Sequence, residues 1–344
     1  MAPHFLVSGR RVDAQIMAQL GEDFTALPAV PLNWKPHRLW RFYQRFKQSQ
    51  KQVCRLIEQT GARACVGTGG FVSAPAMRAA HQMGLATALV NLDAVLGLAN
   101  RLNVRWADER FSAYPQTRLR RARTIGLPLR RSALATSDPG KARWELGLRP
   151  DLHTIVVTAG SQGAQSINDM MMELVSRTRM QRELGDWQII HLTGPAQRDA
   201  VASAYQAAGI KARVEAFCHQ MGLIWSAATL AISRAGAGSV AEAWTNQVPT
   251  IFMPYPHHKD EHQKFNCESL VSRGGAFFLR DRIDPIENVA QLAGPLVELL
   301  SNVSRRDGMR QVLARTAPSD GADVIATWLA TTLRLRQAPP ASLQ

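Results

Sequence analysis

The chain has 344 residues, 46% of them hydrophobic and 20% charged, which is enough to bury the cores of two ordinary domains. No apolar run approaches the ~20 residues of a membrane-spanning helix, and the first residues lack the basic flank and apolar stretch of a secretory signal. The charge is lopsided: residues 1–150 hold 23 Lys+Arg against 9 Asp+Glu, a net +14, whereas 151–344 hold 18 of each. A basic first half points to an anionic partner, whether nucleic acid, a phospholipid surface or a phosphorylated substrate.

Short apolar runs that read as buried strands occupy 4–8, 64–67, 87–91, 154–159, 188–193, 230–233 and 250–254. Helical spacing lies between them, as at 170–182 and 239–244. This alternation predicts parallel sheets covered by helices. Within 33–51, Lys35, Arg38, Arg41, Arg45, Lys47 and Lys51 alternate with Trp34, Leu39, Trp40, Phe42, Tyr43 and Phe46. On a helix, Leu39, Phe42, Tyr43 and Phe46 share one face. That face either packs on a sheet behind a solvated basic rim or meets the headgroup layer of an anionic membrane, and the two readings are compatible. A second basic run, Arg118 to Arg123, adds to that surface or is a solvated loop. Pro, Gly and charge at 136–151 precede a fresh strand, which divides the chain into domains 1–140 and 141–330 with a tail at 331–344. Four cysteines (Cys54, Cys65, Cys218, Cys267) show no CxxC spacing, which argues against zinc or a disulfide framework and fits a reducing cytoplasm.

Each half has a glycine cluster directly after a strand, Gly67-Thr-Gly-Gly70 and Gly160-Ser-Gln-Gly163. Two α/β halves with glycine turns facing a shared cleft describe a GT-B architecture: two Rossmann-like, doubly wound domains with ligands outside the carboxyl ends of the strands. At Gly160–163 the turn either cradles an anion, with Ser161 as an added donor, or is an ordinary tight turn. It is neither a Walker motif nor GxGxxG. At 232–243 a strand again runs into small residues and a helix. Glu242 either accepts ribose hydroxyls or completes a capping box with Ser239. The loop from Pro254 to Asn266 gathers three histidines, two carboxylates, Gln263 and Asn266. His258 and His262 are four apart, but with no HExxH and no third ligand a metal site is not expected. No RNP, helix-turn-helix or zinc-finger pattern supports nucleic-acid binding.

Taken in order, these motifs resemble the MurG family of inverting N-acetylglucosaminyltransferases. Arg234-Ala-Gly-Ala, Glu242, Asp260-Glu-His-Gln263 and Asn266 resemble its nucleotide-sugar signature. Residues 67–75 resemble GxGGYVSGP, 97–101 GLANR, 126–130 GNPVR, 160–168 GGSxGAxxLN and 191–194 HQTG. The resemblance covers about residues 4–330. It implies transfer of N-acetylglucosamine from UDP-N-acetylglucosamine to an undecaprenyl-diphosphate-linked muramyl-pentapeptide at the cytoplasmic face of the inner membrane, with no cofactor. Gly160, Ser161, Gly163, Ala237, Gly238 and Ser239 would then lie along the diphosphate, and Arg130 would reach the donor from the first domain. Cys218 and Met221 would face the uracil, Glu242 the ribose, and His262, Gln263 and Asn266 the sugar. Gly67, Gly69, Gly70, Phe71 and Ser73 would face the acceptor.

The family's first strand and its GGTGGH-type loop, with a histidine implicated as the base, have no counterpart; strand 4–8 corresponds to the family's second strand. The first domain is thus N-terminally truncated relative to the family: either the true start lies upstream of Met1 or the protein is a catalytically weak, UDP-sugar-binding form. The family's HEQN reads Val90-Asn-Leu-Asp93, which makes Asp93 the candidate base. A different glycolipid acceptor is the alternative within the same chemistry.

Overall fold

A computed structural model describes residues 2–32, 35–115, 117–158, 164–257, 260–318 and 320–335. The chain forms two compact units, Met1–Gly126 with Gly321–Gln344 and Leu127–Asp320.

Unit 1 runs β1 (Phe5–Ser8), α1 (Arg11–Leu20), β2 (Phe24–Leu27), α2 (Pro36–Thr60), β3 (Ala64–Gly67), α3 (Gly70–Gln82), β4 (Ala86–Asn91), α4 (Leu98–Asn103), β5 (Glu109–Ser112) and β6 (Arg123–Thr124). Every strand pair is parallel. β1 and β2 form one small sheet and β3-β4-β5-β6 another, so among the described residues β1 and β3 each have one unpaired edge. Helix α3 serves both sheets, because Ala76, Ala79 and Ala80 share an apolar cluster with Leu27, Val53 and Ile57.

The aromatic face of α2 divides between core and surface. Its buried residues begin at Phe46 and continue with Ser49, Gln50, Val53 and Ile57 at helical spacing. Phe46 meets Trp106, and the Arg78 guanidinium lies over both rings. Phe42 is half-buried, whereas Leu39, Trp40 and Tyr43 are exposed. The first turns of α2 therefore extend past the layer that receives Phe46.

Unit 2 runs α5 (Pro139–Glu145), β7 (His153–Thr158), α6 (Gln165–Ser176), α7 (Thr178–Glu183), β8 (Trp187–Leu192), α8 (Arg198–Ala207), β9 (Ala212–Glu215), α9 (Met221–Ala227), β10 (Leu230–Ser233), α10 (Ala237–Thr245), β11 (Thr250–Phe252), α11 (His262–Ser272), β12 (Ala276–Phe278), α12 (Pro285–Ser301) and α13 (Val303–Thr316). Its six parallel strands lie in the order β12-β11-β10-β7-β8-β9. Ile155, Val157 and Ile189 face one core layer with α6 and α12, and Val156, Ile190 and Phe252 face another with α9 and α10. Burial on both faces explains why these strands read as continuous apolar runs. The strand order reverses between β7 and β10, and such a switch point is where doubly wound sheets bind ligands.

The units divide at Gly126, upstream of the boundary that composition placed at 140. The strap 130–137 belongs to unit 2 because its backbone bonds there: Ala135 N donates to Asn246 Oδ1 (2.7 Å), and Thr136 N and Ser137 N to Ser226 Oγ (3.2 and 3.3 Å). The last helix, α14 (Gly321–Leu335), returns to unit 1 instead of ending the second domain. Its Trp328 meets Phe111 edge-on, in a cluster with Ala88, Val90 and Ile325.

Candidate functional site

The switch point is framed by the two loops that leave β7 and β10. Gly160, Ser161 and Gly163, in the first, lie outside the described residues. The second is short: β10 ends at Ser233, Gly236 takes the N-cap position without a side-chain cap, and α10 begins at Ala237. The amides of Ala237, Gly238 and Ser239 thus form the first turn of a nine-residue helix, where N–H groups have no intrahelical acceptor and the dipole favours an anion.

The Ser239–Glu242 capping box is not formed. Because α10 starts at Ala237, Ser239 lies inside the first turn and Glu242 in the second, too far along to cap anything. Glu242 Oε2 instead accepts a hydrogen bond of 2.8 Å from Trp225 Nε1–H. Burial pushes the Glu242 carboxyl above the ordinary carboxylate range, and the Trp225 bond and the charge of Arg130 offset that only in part.

Arg130 lies in the same unit as Glu242, not in the first domain as the resemblance implied. Its place follows from the strap behind it. Asn246 Nδ2 donates to Ala133 O (2.9 Å), complementing the bond from Ala135 N, and Gly222 of α9 admits the strap's carbonyls at close range.

The loop after β11 closes on the same turn. Asn266 Nδ2 donates to Ala235 O (3.2 Å), and Gln263 Oε1 accepts from Tyr255 N (2.8 Å). His262 Nδ1 lies 2.7 Å from Asp260 Oδ1, whose carboxyl this contact holds below its ordinary range. Cys218 and Met221 are half-buried at the start of α9, against the cluster that includes Val240 of α10.

Beneath these loops is a buried ion pair that the sequence did not single out. Arg234 Nη1 is 2.7 Å from Asp281 Oδ2, and both side chains are almost fully buried. Arg234 also donates to Met253 O (2.9 Å) and to Ser166 Oγ (2.7 Å) of α6. Burial would raise Asp281, but hydrogen bonds from Ser166, Asn288, Ile283 N and Arg234 outweigh it and leave its carboxyl below the usual value. One guanidinium therefore joins β10, the β11 loop and the start of α6. His191 has a structural place as well. It is buried, its Nδ1 facing Tyr205 Oη (2.8 Å) and its Nε2 facing Asn168 Oδ1 (3.0 Å), and burial depresses its pKa from 6.5 to about 3.

In unit 1, Gly69 (φ 103°) and Gly70 (φ 74°) open α3 in backbone conformations that disfavour any side chain. A Cβ on Gly69 would lie 3.1 Å from Asn100 Oδ1. Asn100 Nδ2 donates to Asn91 Oδ1 (2.9 Å), whose Nδ2 donates to Asp93 O (2.6 Å). Asn103 Nδ2 donates to Ser73 Oγ (2.7 Å), which donates to Gly70 O (2.8 Å). An asparagine network thus brings Gly69, Gly70, Ser73 and Asp93 to one end of β3 and β4. Phe71 is half-buried, with the Arg10 guanidinium 5.2 Å from its ring centre, and Gly67 closely faces Met77. The motif Gly97–Arg101 carried the signal for Asn100, and Asn91 lies in the Val90–Asp93 segment that pointed to Asp93; nothing in the sequence marked Asn103.

The N-terminal domain model of glycosyltransferase family 28 matches residues 2–112 and the C-terminal domain model matches 154–311. The UDP-N-acetylglucosamine–N-acetylmuramyl-(pentapeptide) pyrophosphoryl-undecaprenol N-acetylglucosamine transferase of Clavibacter michiganensis subsp. michiganensis is 32% identical over 347 residues, covering 98% of this chain and 90% of its own length. The chain belongs to glycosyltransferase family 28. The Streptomyces coelicolor protein of the same name is 32% identical over 278 residues, 79% of this chain and 74% of its own. Among solved structures, Acinetobacter baumannii MurG superposes with a TM-score of 0.70 at 20% identity, over 96% of this chain and 91% of that one. The two units are the Rossmann-like halves of a GT-B fold, and this family 28 member is a UDP-sugar-dependent glycosyltransferase.

Proposed function

We propose that the protein moves N-acetylglucosamine from UDP-N-acetylglucosamine to an undecaprenyl-diphosphate-linked muramyl-pentapeptide, with inversion. The observation that carries this reading is the set of groups around the β10–α10 turn, in a chain whose relatives are named for that transfer. The α10 amides, together with Gly160, Ser161 and Gly163, hold the diphosphate, with Arg130 adding positive charge. Ionised Glu242 accepts the ribose hydroxyls, Cys218 and Met221 line the uracil, and His262, Gln263 and Asn266 hold the sugar. The helix dipole and Arg130 stabilise the charge that develops on departing UDP.

The acceptor lies against Gly67, Gly69, Gly70, Phe71 and Ser73. Its sugar hydroxyl oxygen attacks C1 of the donor sugar, the bond to UDP breaks, and Asp93 takes the hydroxyl proton. The lipid end is served by α2. Exposed Trp40 and Tyr43 stack at 6.0 Å, and farther along the helix an open cavity is lined by Lys47, Gln50, Lys51, Cys54 and Arg55. Aromatics beside cations suit the headgroup layer of an anionic membrane. No helix of the described residues is long and apolar enough to cross a membrane; the proposed attachment is peripheral, through the aromatic and basic side chains of α2.

UDP-N-acetylglucosamine should raise the melting temperature, and no rise would sink the donor assignment. Product mass with the muramyl-pentapeptide lipid, compared with other polyprenyl glycolipids, identifies the acceptor. Loss of the product with D93N, while the melting response persists, is the expected signature of the base.

A further inference from the structure

One face of α9 supports the donor site twice. Gly222 and Ser226 receive the strap that carries Arg130, and between them in the same helical stripe Trp225 reaches Glu242. Trp225 is 2% exposed, so packing fixes its ring; Cys267, Phe252 and Leu270 belong to the same cluster. Its one polar atom, Nε1–H, is spent on Glu242 Oε2 at 2.8 Å. An indole can only donate, so the bond is strongest to an ionised carboxylate and fixes its rotation. With Oε2 held, a carboxylate retains on Oε1 and on the remaining lone pair of Oε2 the capacity to accept from two adjacent hydroxyls.

We propose that Trp225 is a positioning residue for donor recognition: its indole N–H orients the Glu242 carboxylate for a vicinal diol, and so favours a ribonucleotide over a 2′-deoxyribonucleotide. This rests on the reading of Glu242 as the ribose acceptor. Without the indole, a carboxylate on a flexible stem must be ordered by the ligand itself, and that ordering is subtracted from affinity. Burial also raises the carboxyl's pKa, and the indole counters that rise.

The experiment measures the affinity of the full chain for UDP and for 2′-deoxy-UDP by titration calorimetry, in wild type, W225F, E242Q and the double variant. W225F keeps an apolar ring and loses the donor. It should weaken UDP binding about tenfold, as expected for a hydrogen bond to a charged group, and should affect 2′-deoxy-UDP much less. The effects of W225F and E242Q should be non-additive. Equal weakening for both nucleotides, additive effects, or an unchanged affinity would overturn the proposal. If E242Q itself binds UDP like wild type, the reading of Glu242 fails instead, which is a separate outcome.

Should W225F fail to fold, the test moves to the indole N–H signals of the eight tryptophans. One signal should shift both in E242Q and on adding UDP to the wild type. If no single indole responds to both, Trp225 does not position the carboxylate.

Discussion

Replacing Gly222 with alanine should destabilise the protein, the opposite of what such a change does in most helices. A Cβ built on Gly222 would lie 2.3 Å from Leu134 O and 3.0 Å from Ser132 O, whereas ordinary contact begins near 3.4 Å. Both neighbours are backbone, so the strap itself must retreat by roughly 1 Å. It is held by the two bonds to Asn246 and those to Ser226, and Ala133 at its centre is 1% exposed. Losing two such hydrogen bonds costs about 2 kcal/mol, and looser packing of one methyl adds about 1 kcal/mol. The better helix propensity of alanine returns roughly 1 kcal/mol, leaving a net loss of about 2 kcal/mol. Urea unfolding followed by tryptophan fluorescence measures this, and calorimetry with UDP-N-acetylglucosamine should show weaker binding because Arg130 moves with the strap. A G222A protein as stable as wild type, with unchanged donor affinity, would refute the reasoning.

Three further outcomes follow from the buried charges. Because the Glu242 carboxyl titrates above its ordinary value of 4.5, donor affinity should begin to fall at a pH above that value as Glu242 gains its proton, while E242Q binds more weakly and without that dependence. The same upward shift means burial of the ionised form opposes folding of the free protein, a cost that is relieved as the group protonates. For His191 the sign differs: burial holds its folded pKa at about 3, below the ordinary 6.5, so stability is lost as pH falls from 6.5 towards 3. The slope is at most about 1.4 kcal/mol per pH unit, and urea midpoints that do not flatten in H191Q would count against it. D281N should cost roughly 3–5 kcal/mol, since it leaves Arg234 buried without its counter-charge; a melting temperature near wild type would show the pair to be dispensable.

Among the strands that the sequence revealed, β7, β8 and β10 are buried along nearly their whole length and rich in apolar residues, whereas β1 and β3 carried the same short apolar signal although only partly buried. β9 (Ala212–Glu215) is half-buried along its length, β5 begins with Glu109-Arg110, and β12 has three residues, so none has a long apolar signature. The donor motifs around Glu242 and Asn266 were visible because they are contiguous. The capping-box alternative fails for a local reason: Ser239 and Glu242 have the right spacing, but Gly236 ends the turn earlier and takes the cap. Gly222, Trp225 and Asn246 carried no signal at all. Their roles depend on α9, α10 and the strap meeting in space, and only the folded chain brings residues 134, 222 and 246 together. Asp281 was hidden likewise, lying far in sequence from Arg234 and Ser166.

The divided sheet of unit 1 has a consequence for how that unit opens. β1 and β2 contribute a single four-residue ladder, and no backbone pairing joins them to β3 among the described residues. Among the described residues, the segment is attached by the apolar cluster under α3, the Arg10 guanidinium over Phe71 and a side-chain bond from Gln52 to Ala26 O. A cooperative unit held mainly by side chains can detach while the four-stranded sheet stays intact. Amide hydrogens from Phe5 to Leu27 should therefore exchange as one group, through an opening that costs less than global unfolding, and the loop at Gly69–Gly70 would feel that opening through the helix it begins.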